Sequence, residues 1–567
     1  MSDILYRKQK KYYFLLVLPA LCIYTFALAG PLIFGTIPNS FFSWNLIKGT
    51  HNWIGIKNFV DLVHDRDFIQ SMFLTFKLAV VTIVLTNVLA FFIALALNTH
   101  IFGKPVIRAF FFIPNIISGV MIALAWTFIF QKVTPIIGEL LHSEAVTGFS
   151  WFGSSTAAFA AVSVVTVWQG LGFLMILYIT GLQSIPLDVM EAACIDGCVG
   201  LNRIIKIQLP LLMPTITINL FVSIANAFKA FDINYALTGG GPSKTTQTIA
   251  MNIYDDAFGT FNMGYGCAKS VILFLIIAAI SLIQLNITRK RGAVIMTWKK
   301  KIAGTAAMFI LGFIFILPVL WIVMNSIKTS PEIAADFLAL PKSLYLDNFK
   351  NAMESMNFLV ALKNSVVITL GAMLGGLFVS FAGAFGISHL RGKISQNLYL
   401  YFVFGQIVPF HAVMIPISVL ATNTNLTNSL GGIIILDIGF FCAFGILTFT
   451  GFLKNVPREL EEAAAIDGCG VFRIMTQIVF PLVKPATVTI GVLFFMWSWN
   501  DFLLPSILIG DSELRPLTVN LFMFRSATST QWNLFIAGLT LCIIPTIILY
   551  ICAQKYITSG LTMGAVK

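Results

Sequence analysis

Two polar segments interrupt an otherwise apolar chain: "EAACIDGCVGLNRIIKIQLP", beginning at Glu191, and "EAAAIDGCGVFRIMTQIVFP", beginning at Glu462. Each sets a carboxylate beside a run of alanine, which favours helix, and follows it with Asp-Gly, a stop-and-turn signal. The chemistry these types support is docking rather than catalysis. A small-residue face flanked by carboxylates fits a cleft, and a partly exposed ion pair adds only about 0 to 1 kcal/mol. The candidates are Glu191, Ala192, Ala193, Asp196 and Gly197, and again Glu462, Ala463, Ala464, Asp467 and Gly468. No catalytic residue is expected, because no cluster of His, Asp and Ser or of metal ligands converges in the sequence. The Gly-Lys pairs at Gly103 and Gly392 lack the rest of a phosphate-cradling loop, so the chain should neither bind nor hydrolyse ATP. Eight cysteines form no CxxC pair and no zinc spacing with histidine, so neither metal nor disulfide is expected.

A second set of residues suits sugars, whose hydroxyl rims need hydrogen-bonding side chains and whose CH patches need aromatic faces. Trp168, Gln169, Gly170 and Phe173 lie in one apolar run; Asn219, Ser223 and Asn226 share one face of the next. Such a stripe serves equally as glue between membrane helices. Asp437, an ionisable residue inside an apolar run, suits either the substrate path or a structural hydrogen bond.

These residues must be carried by membrane helices. Of 567 residues, 58% are hydrophobic and 11% charged, and the mean hydropathy is +0.89, too apolar for a soluble surface. Continuous apolar runs of span length fall near 13–36, 72–98, 108–130, 157–182, 211–229 and 268–287, then near 302–326, 360–387, 397–420, 431–452, 482–504 and 533–553. About twelve helical spans are expected; barrel strands would be shorter and would alternate. Ala27-Leu28-Ala29 could mark a cleaved leader, but the apolar stretch continues to Ile37, which predicts a retained first helix. Basic residues before the first span, between the second and third, and between the halves place those segments and both termini in the cytoplasm. The net charge of +12 is thus mainly a topology signal, with no organised surface for nucleic acid.

A shift of 271 residues superposes Pro186, Glu191, Ala192, Ala193, Asp196, Gly197, Pro210 and Pro214 on Pro457, Glu462, Ala463, Ala464, Asp467, Gly468, Pro481 and Pro485. Matching spans around matching polar segments indicate two copies of one domain. The expected division is a first half over 1–291 with its polar loop at 185–210, a cytoplasmic linker over 292–301, and a second half over 302–567 with its loop at 456–481.

The repeated segment resembles the EAA loop of ABC importer permeases. "LTGGGP" at Leu237–Pro242, "WNDFLLP" at Trp499–Pro505 and the terminal "SGLTMGAVK" are similar to the carbohydrate-uptake, maltose-type branch. The chain therefore resembles a fused pair of permease subunits: an all-α integral membrane protein of two homologous six-helix ABC importer domains, multi-pass in the cell membrane. The resemblance implies two copies of an ABC ATPase subunit that bind ATP and Mg, one beneath each EAA loop, and an extracytoplasmic sugar-binding protein. It implies a substrate path at Trp168, Gln169, Gly170, Phe173, Ser223 and Asn226, with Asp437 an open candidate, and an ATPase-contacting tail at Gly564, Ala565, Val566 and Lys567. Cys198 and Cys469 replace the family's common Ala, and "TRKRGAVIMTWKKK" joins what are usually separate subunits. An importer of glycerol phosphate esters and an ion-coupled secondary transporter are the competing readings.

Overall fold

The computed structural model describes residues 3–99, 102–198, 201–288, 303–335, 337–527 and 531–565; the linker at 292–301 lies outside them. The principal helices are α1 (Gln9–Asn39), α2 (Arg66–Leu97), α3 (Lys104–Ile116), α4 (Gly119–Leu140), α5 (Ser155–Gln183), α6 (Leu187–Ile195), α7 (Met213–Phe228) and α8 (Met263–Thr288). The second half continues with α9 (Ala303–Asn325), α10 (Phe358–His389), α11 (Lys393–Phe404), α12 (Met414–Asn423), α13 (Leu430–Leu453), α14 (Arg458–Ile466), α15 (Val471–Asn500) and α16 (Trp532–Ala565). Between α1 and α2, β1 (Phe42–Asn45) and β2 (Thr50–Trp53) form an antiparallel hairpin with Phe42 opposite Trp53.

Among the described residues, nine helices are long and apolar enough to cross a bilayer. Ile204–Leu211 with α7, bent by 64°, makes a tenth when the bent pair is counted as one span. The remaining two expected spans fall on α11 with α12, a broken pair, and on α16, whose shorter apolar stretch is Trp532–Ile548. The third span is interrupted as well, between α3 and α4. Phe34, Phe73 and Phe92 are exposed, as outward faces in contact with lipid require.

The first helix of each half packs on the other half. α1 lies along α10 and α13, while α9 lies along α3 and α4 and touches α16. Small residues permit the close approach: a Cβ on Gly439 would meet Ala27 and the Ile23 carbonyl, and one on Gly383 would meet Ala20. Polar contacts fix the register. The Tyr24 hydroxyl donates to the Tyr401 carbonyl at 3.0 Å, and the Thr36 hydroxyl to the Ala412 carbonyl at 2.5 Å. On the other crossover, Trp168 Nε1 donates to the Phe315 carbonyl at 2.9 Å.

At the hairpin end, buried Lys269 on α8 joins three chain segments. Its Nζ lies 3.2 Å from Asp65 at the head of α2, and 2.5 and 2.6 Å from Asp256 and Asn252. A buried ammonium is tolerated only when paired and hydrogen-bonded in this way.

Candidate functional site: coupling helices and a capped helix break

The two polar segments fold alike. In the first, the Asp196 and Cys198 amides donate to the Ala192 and Ala193 carbonyls at 3.0 and 2.8 Å, and Gly197 adopts φ +69°. In the second, the Asp467 and Cys469 amides donate to the Ala463 and Ala464 carbonyls at 3.0 and 2.9 Å, and Gly468 adopts φ +82°. Each helix thus stops on a left-handed glycine, a conformation that costs other residues about 1–2 kcal/mol. Pro457 stands just before α14 and Pro186 just before α6, one position earlier than the first helical turn.

Ala193 and Ala464 face inward, while Glu191, Ala192, Asp196 and Gly197, and Ala463, Asp467 and Gly468, are exposed; Glu462 is half-buried. Ile195 and Ile466, equivalent in the 271-residue frame, stand 86% and 82% exposed at the two tips. Two matched apolar knobs beside matched turns make a pair of plugs suited to two copies of one cleft. After each turn the chain re-enters the bundle through a π-helical turn, Ile204–Gln208 and Ile474–Val479.

At the α3–α4 break, Ile117 and Ser118 are extended, with ψ 137° and 140°. Carbonyls freed inside a membrane protein must find donors. Asn500, from the "WNDFLLP" segment of the other half, donates its Nδ2 to the Ile116 carbonyl at 2.7 Å. Gln169 donates its Nε2 to the Ile117 carbonyl at 3.0 Å, and the Ser118 hydroxyl donates to the Asn500 carbonyl at 3.0 Å. One break is therefore capped by both halves.

The expected path residues take different places around it. Trp168 is buried, bonded to α9, and lines a small apolar crevice with Ile117, Trp126 and Ile322. Ser223 is buried in a network: Tyr178 donates to Asn87 Oδ1 at 3.0 Å, Asn87 Nδ2 to Ser223 Oγ at 2.9 Å, and Ser223 to the Asn219 carbonyl at 2.7 Å. Gly170 and Phe173 are half-buried on α5, and Asn226 is exposed on α7. Asp437 on α13 is 5% exposed and accepts from the Ser498 hydroxyl at 2.8 Å. Of the tail, Gly564 and Ala565 end α16, while Val566 and Lys567 lie outside the described residues. The described residues contain no group of metal-ligating side chains.

The family model described as "Binding-protein-dependent transport system inner membrane component" matches residues 86–292 and again 368–562. The chain belongs to this family, twice over. The chain is 39% identical over 280 residues to the probable starch degradation products transport system permease protein AmyD of Thermoanaerobacterium thermosulfurigenes, a match covering 49% of this chain and 94% of that one. AmyC of the same organism is 39% identical over 259 residues, covering 46% of this chain and 94% of its own. The multiple sugar-binding transport system permease protein MsmF of Streptococcus mutans is 35% identical over 251 residues, covering 44% and 86%. Each relative spans most of its own length on about half of this chain, so one polypeptide holds two permease units of the transport family. These relatives are membrane components of transport systems rather than enzymes.

Sequence reasoning singled out neither Ile195 and Ile466, nor the Asn87–Tyr178 pair, nor Asn500 as a cap. Only the repeat frame distinguishes the two isoleucines. "WNDF" was recognised as a motif without its partner across the bundle.

Proposed function

We propose that the chain is the membrane permease of a binding-protein-dependent ABC importer for a sugar or oligosaccharide, driven by ATP hydrolysed on separate subunits. The sugar class is supported by the names of the relatives and by three sequence motifs. The observation that carries the coupling is the matched pair α6 and α14, with the same turn and the same protruding isoleucine. One ATPase subunit seats each plug. The Ala faces and Ile195 or Ile466 fill its cleft, and Glu191 and Glu462 meet basic groups at the rim. Gly564, Ala565, Val566 and Lys567 extend toward the ATPase pair. The segments near 37–71, 131–156, 230–266 and 505–532 receive the sugar-loaded binding protein, and the termini are cytoplasmic.

Closure of the ATPase pair on ATP draws the plugs together and rocks the halves toward outward access. Shifting such an equilibrium from 1:99 to 99:1 needs about 5.5 kcal/mol of differential affinity, which two nucleotides and a docked binding protein can supply. Sugar passes Gln169, Gly170, Phe173 and Asn226, with Trp168, Ser223 and Asp437 behind them in positioning contacts.

The test is uptake of labelled sugar into proteoliposomes holding this chain, ATPase subunits and a binding protein, with and without Gly197→Val and Gly468→Val together. Among the described residues, no neighbouring atom lies within 4 Å of either added Cβ, so the strain falls on the turns themselves. Uptake that requires ATP and collapses in the double variant is expected. Uptake driven by an ion gradient, without ATP and unaffected by the variant, refutes the proposal.

A further inference from the structure

The two coupling helices are fastened differently. His389 ends α10, and its ring is held on every side. Nδ1 lies 2.8 Å from the Phe385 carbonyl, and Nε2 lies 2.5 Å from Glu461 Oε2 on α14. The ring stacks on Tyr13 of α1 with centroids 5.0 Å apart and planes 20° from parallel, and meets Phe385 at 4.2 Å. Beside it, Arg458 of α14 donates to the Ser388 carbonyl at 3.4 Å.

Both ring nitrogens face oxygen acceptors. A neutral imidazole donates from one nitrogen only, so both contacts carry a hydrogen at once when the ring is imidazolium. The pair is largely shielded, with side chains 11% and 13% exposed. Tyr13 faces the ring from α1, Glu461 from α14, and Arg458 binds next to it. The other charged groups on these elements are Lys10 and Lys11 on α1, Lys363 near the opposite end of α10, Glu459 and Glu462 on α14, and Arg391 just past α10. In the 271-residue frame the first half has Met190 where the second has Glu461, and Met190 is approached by Gln208 at 4.0 Å through its sulfur. The first coupling helix therefore lacks the carboxylate that such a clasp needs.

We propose that His389 is a positioning residue: its protonated ring clasps Glu461 and fixes the second coupling helix to α10 and α1, making force transfer through α14, and not through α6, depend on pH. This rests on the coupling role proposed for α14. The proton is the switch. Loss of the ring's charge removes one of the two hydrogens that hold it.

The experiment measures sugar transported per ATP hydrolysed in proteoliposomes from pH 6 to 8, using one preparation of partner proteins for all variants. The ratio for the unaltered chain should fall several-fold as pH rises. His389→Gln and Glu461→Gln should give the low ratio at every pH, and His389→Lys, which keeps the charge, a high ratio with a flat profile. A pH profile shared by the unaltered chain and His389→Gln overturns the proposal. Thermal midpoints of the same variants in detergent read the clasp independently of transport. The gap between the unaltered chain and His389→Gln should narrow as pH rises, and a gap constant in pH refutes the clasp even where no ATP-dependent uptake is seen. Absence of ATP-dependent uptake with a narrowing gap would instead sink the importer reading and leave the clasp standing.

Discussion

Asn500→Ala tests whether the two halves hold a broken span together by sharing its hydrogen bonds. The Asn500 amide donates to the Ile116 carbonyl at 2.7 Å, across the boundary between the family repeats. Removing it strands the Ile116 carbonyl, because the neighbouring donors Ser118, Gln169 and Asn115 are each engaged with other carbonyls. An unmade buried hydrogen bond costs roughly 1–3 kcal/mol, about a 5- to 150-fold change in the unfolding equilibrium. Gln169 caps the next carbonyl at 3.0 Å, so Gln169→Ala should cost a similar amount. The two losses should be non-additive by about 0.5 kcal/mol or more, because both side chains fix the same two-residue break. Asn500→Asp keeps the shape, but the ionised carboxylate has no donor and sets an oxygen against an oxygen, so at a pH where it is ionised it should be at least as harmful as alanine. The assay is reversible denaturation in mixed micelles followed by tryptophan fluorescence, with sugar uptake measured in parallel. Asn500→Ala and Asn500→Asp both within about 0.5 kcal/mol of the parent would refute the reasoning, because the carbonyl would then need no cap.

With exposed Asn226 on the proposed sugar path, Asn226→Ala should raise the KM for sugar about 2- to 13-fold, one neutral hydrogen bond, and leave the thermal midpoint unchanged. Tyr178→Phe should do the reverse, lowering stability by about 0.5–1.5 kcal/mol with KM retained, because its hydroxyl serves Asn87 inside a closed network. Replacing Ile195 and Ile466 together by Asp should abolish ATP-coupled uptake and leave the midpoint unchanged, since both side chains stand clear of the bundle. Burial pushes the Asp65 carboxyl up, but the Phe68 amide and the Lys269 ammonium outweigh it and hold it below the usual carboxylate range. Its stabilisation is therefore full above about pH 4 and is lost as pH falls through the lowered value. Asp65→Asn should lower the midpoint at neutral pH and flatten that acid loss in a pH series of melts.

Most of the fold was legible because a bilayer imposes a crude rule: about twenty apolar residues per crossing. The segments that obeyed it, such as α2 and α10, lie where their runs placed them. The rule is blind to interruptions. Pro114 and Ser118-Gly119 mark a candidate interruption in the third run, but they do not show that Ile117 and Ser118 hold as an extended pair, because the break is stabilised by Asn500, which stands hundreds of residues away. It is equally blind to which face meets lipid and which meets helix, so the crossing of α1 onto α10 and of α9 onto α3 left no periodic signal. The two matched turns were readable because Asp-Gly and Glu-Ala-Ala are polar exceptions repeated in frame. Their isoleucines were not, because one more apolar residue has no contrast in such a chain. Ser223 showed the limit of a polar stripe: position on a face does not separate a sugar contact from a bond to Asn87.

The exchanged helices constrain how the halves can move. α1 is tied to the second half at both ends, by the stack of Tyr13 on His389 and by the bond from Thr36 to the Ala412 carbonyl. In the proposed rocking, the body of α1 is held to the second half, while its last turns also pack on α8 of the first half, so strain is expected at that end and in the hairpin segment that follows. That segment ends at Asp65, which Lys269 and the Tyr265 hydroxyl anchor to α8. The Asn500–Ile116 bond also crosses the boundary between the halves, and such a bond survives rotation only if the displacement there is small. Under the proposed rocking, the capped break is therefore expected to move least and the loop helices α6 and α14 to move more.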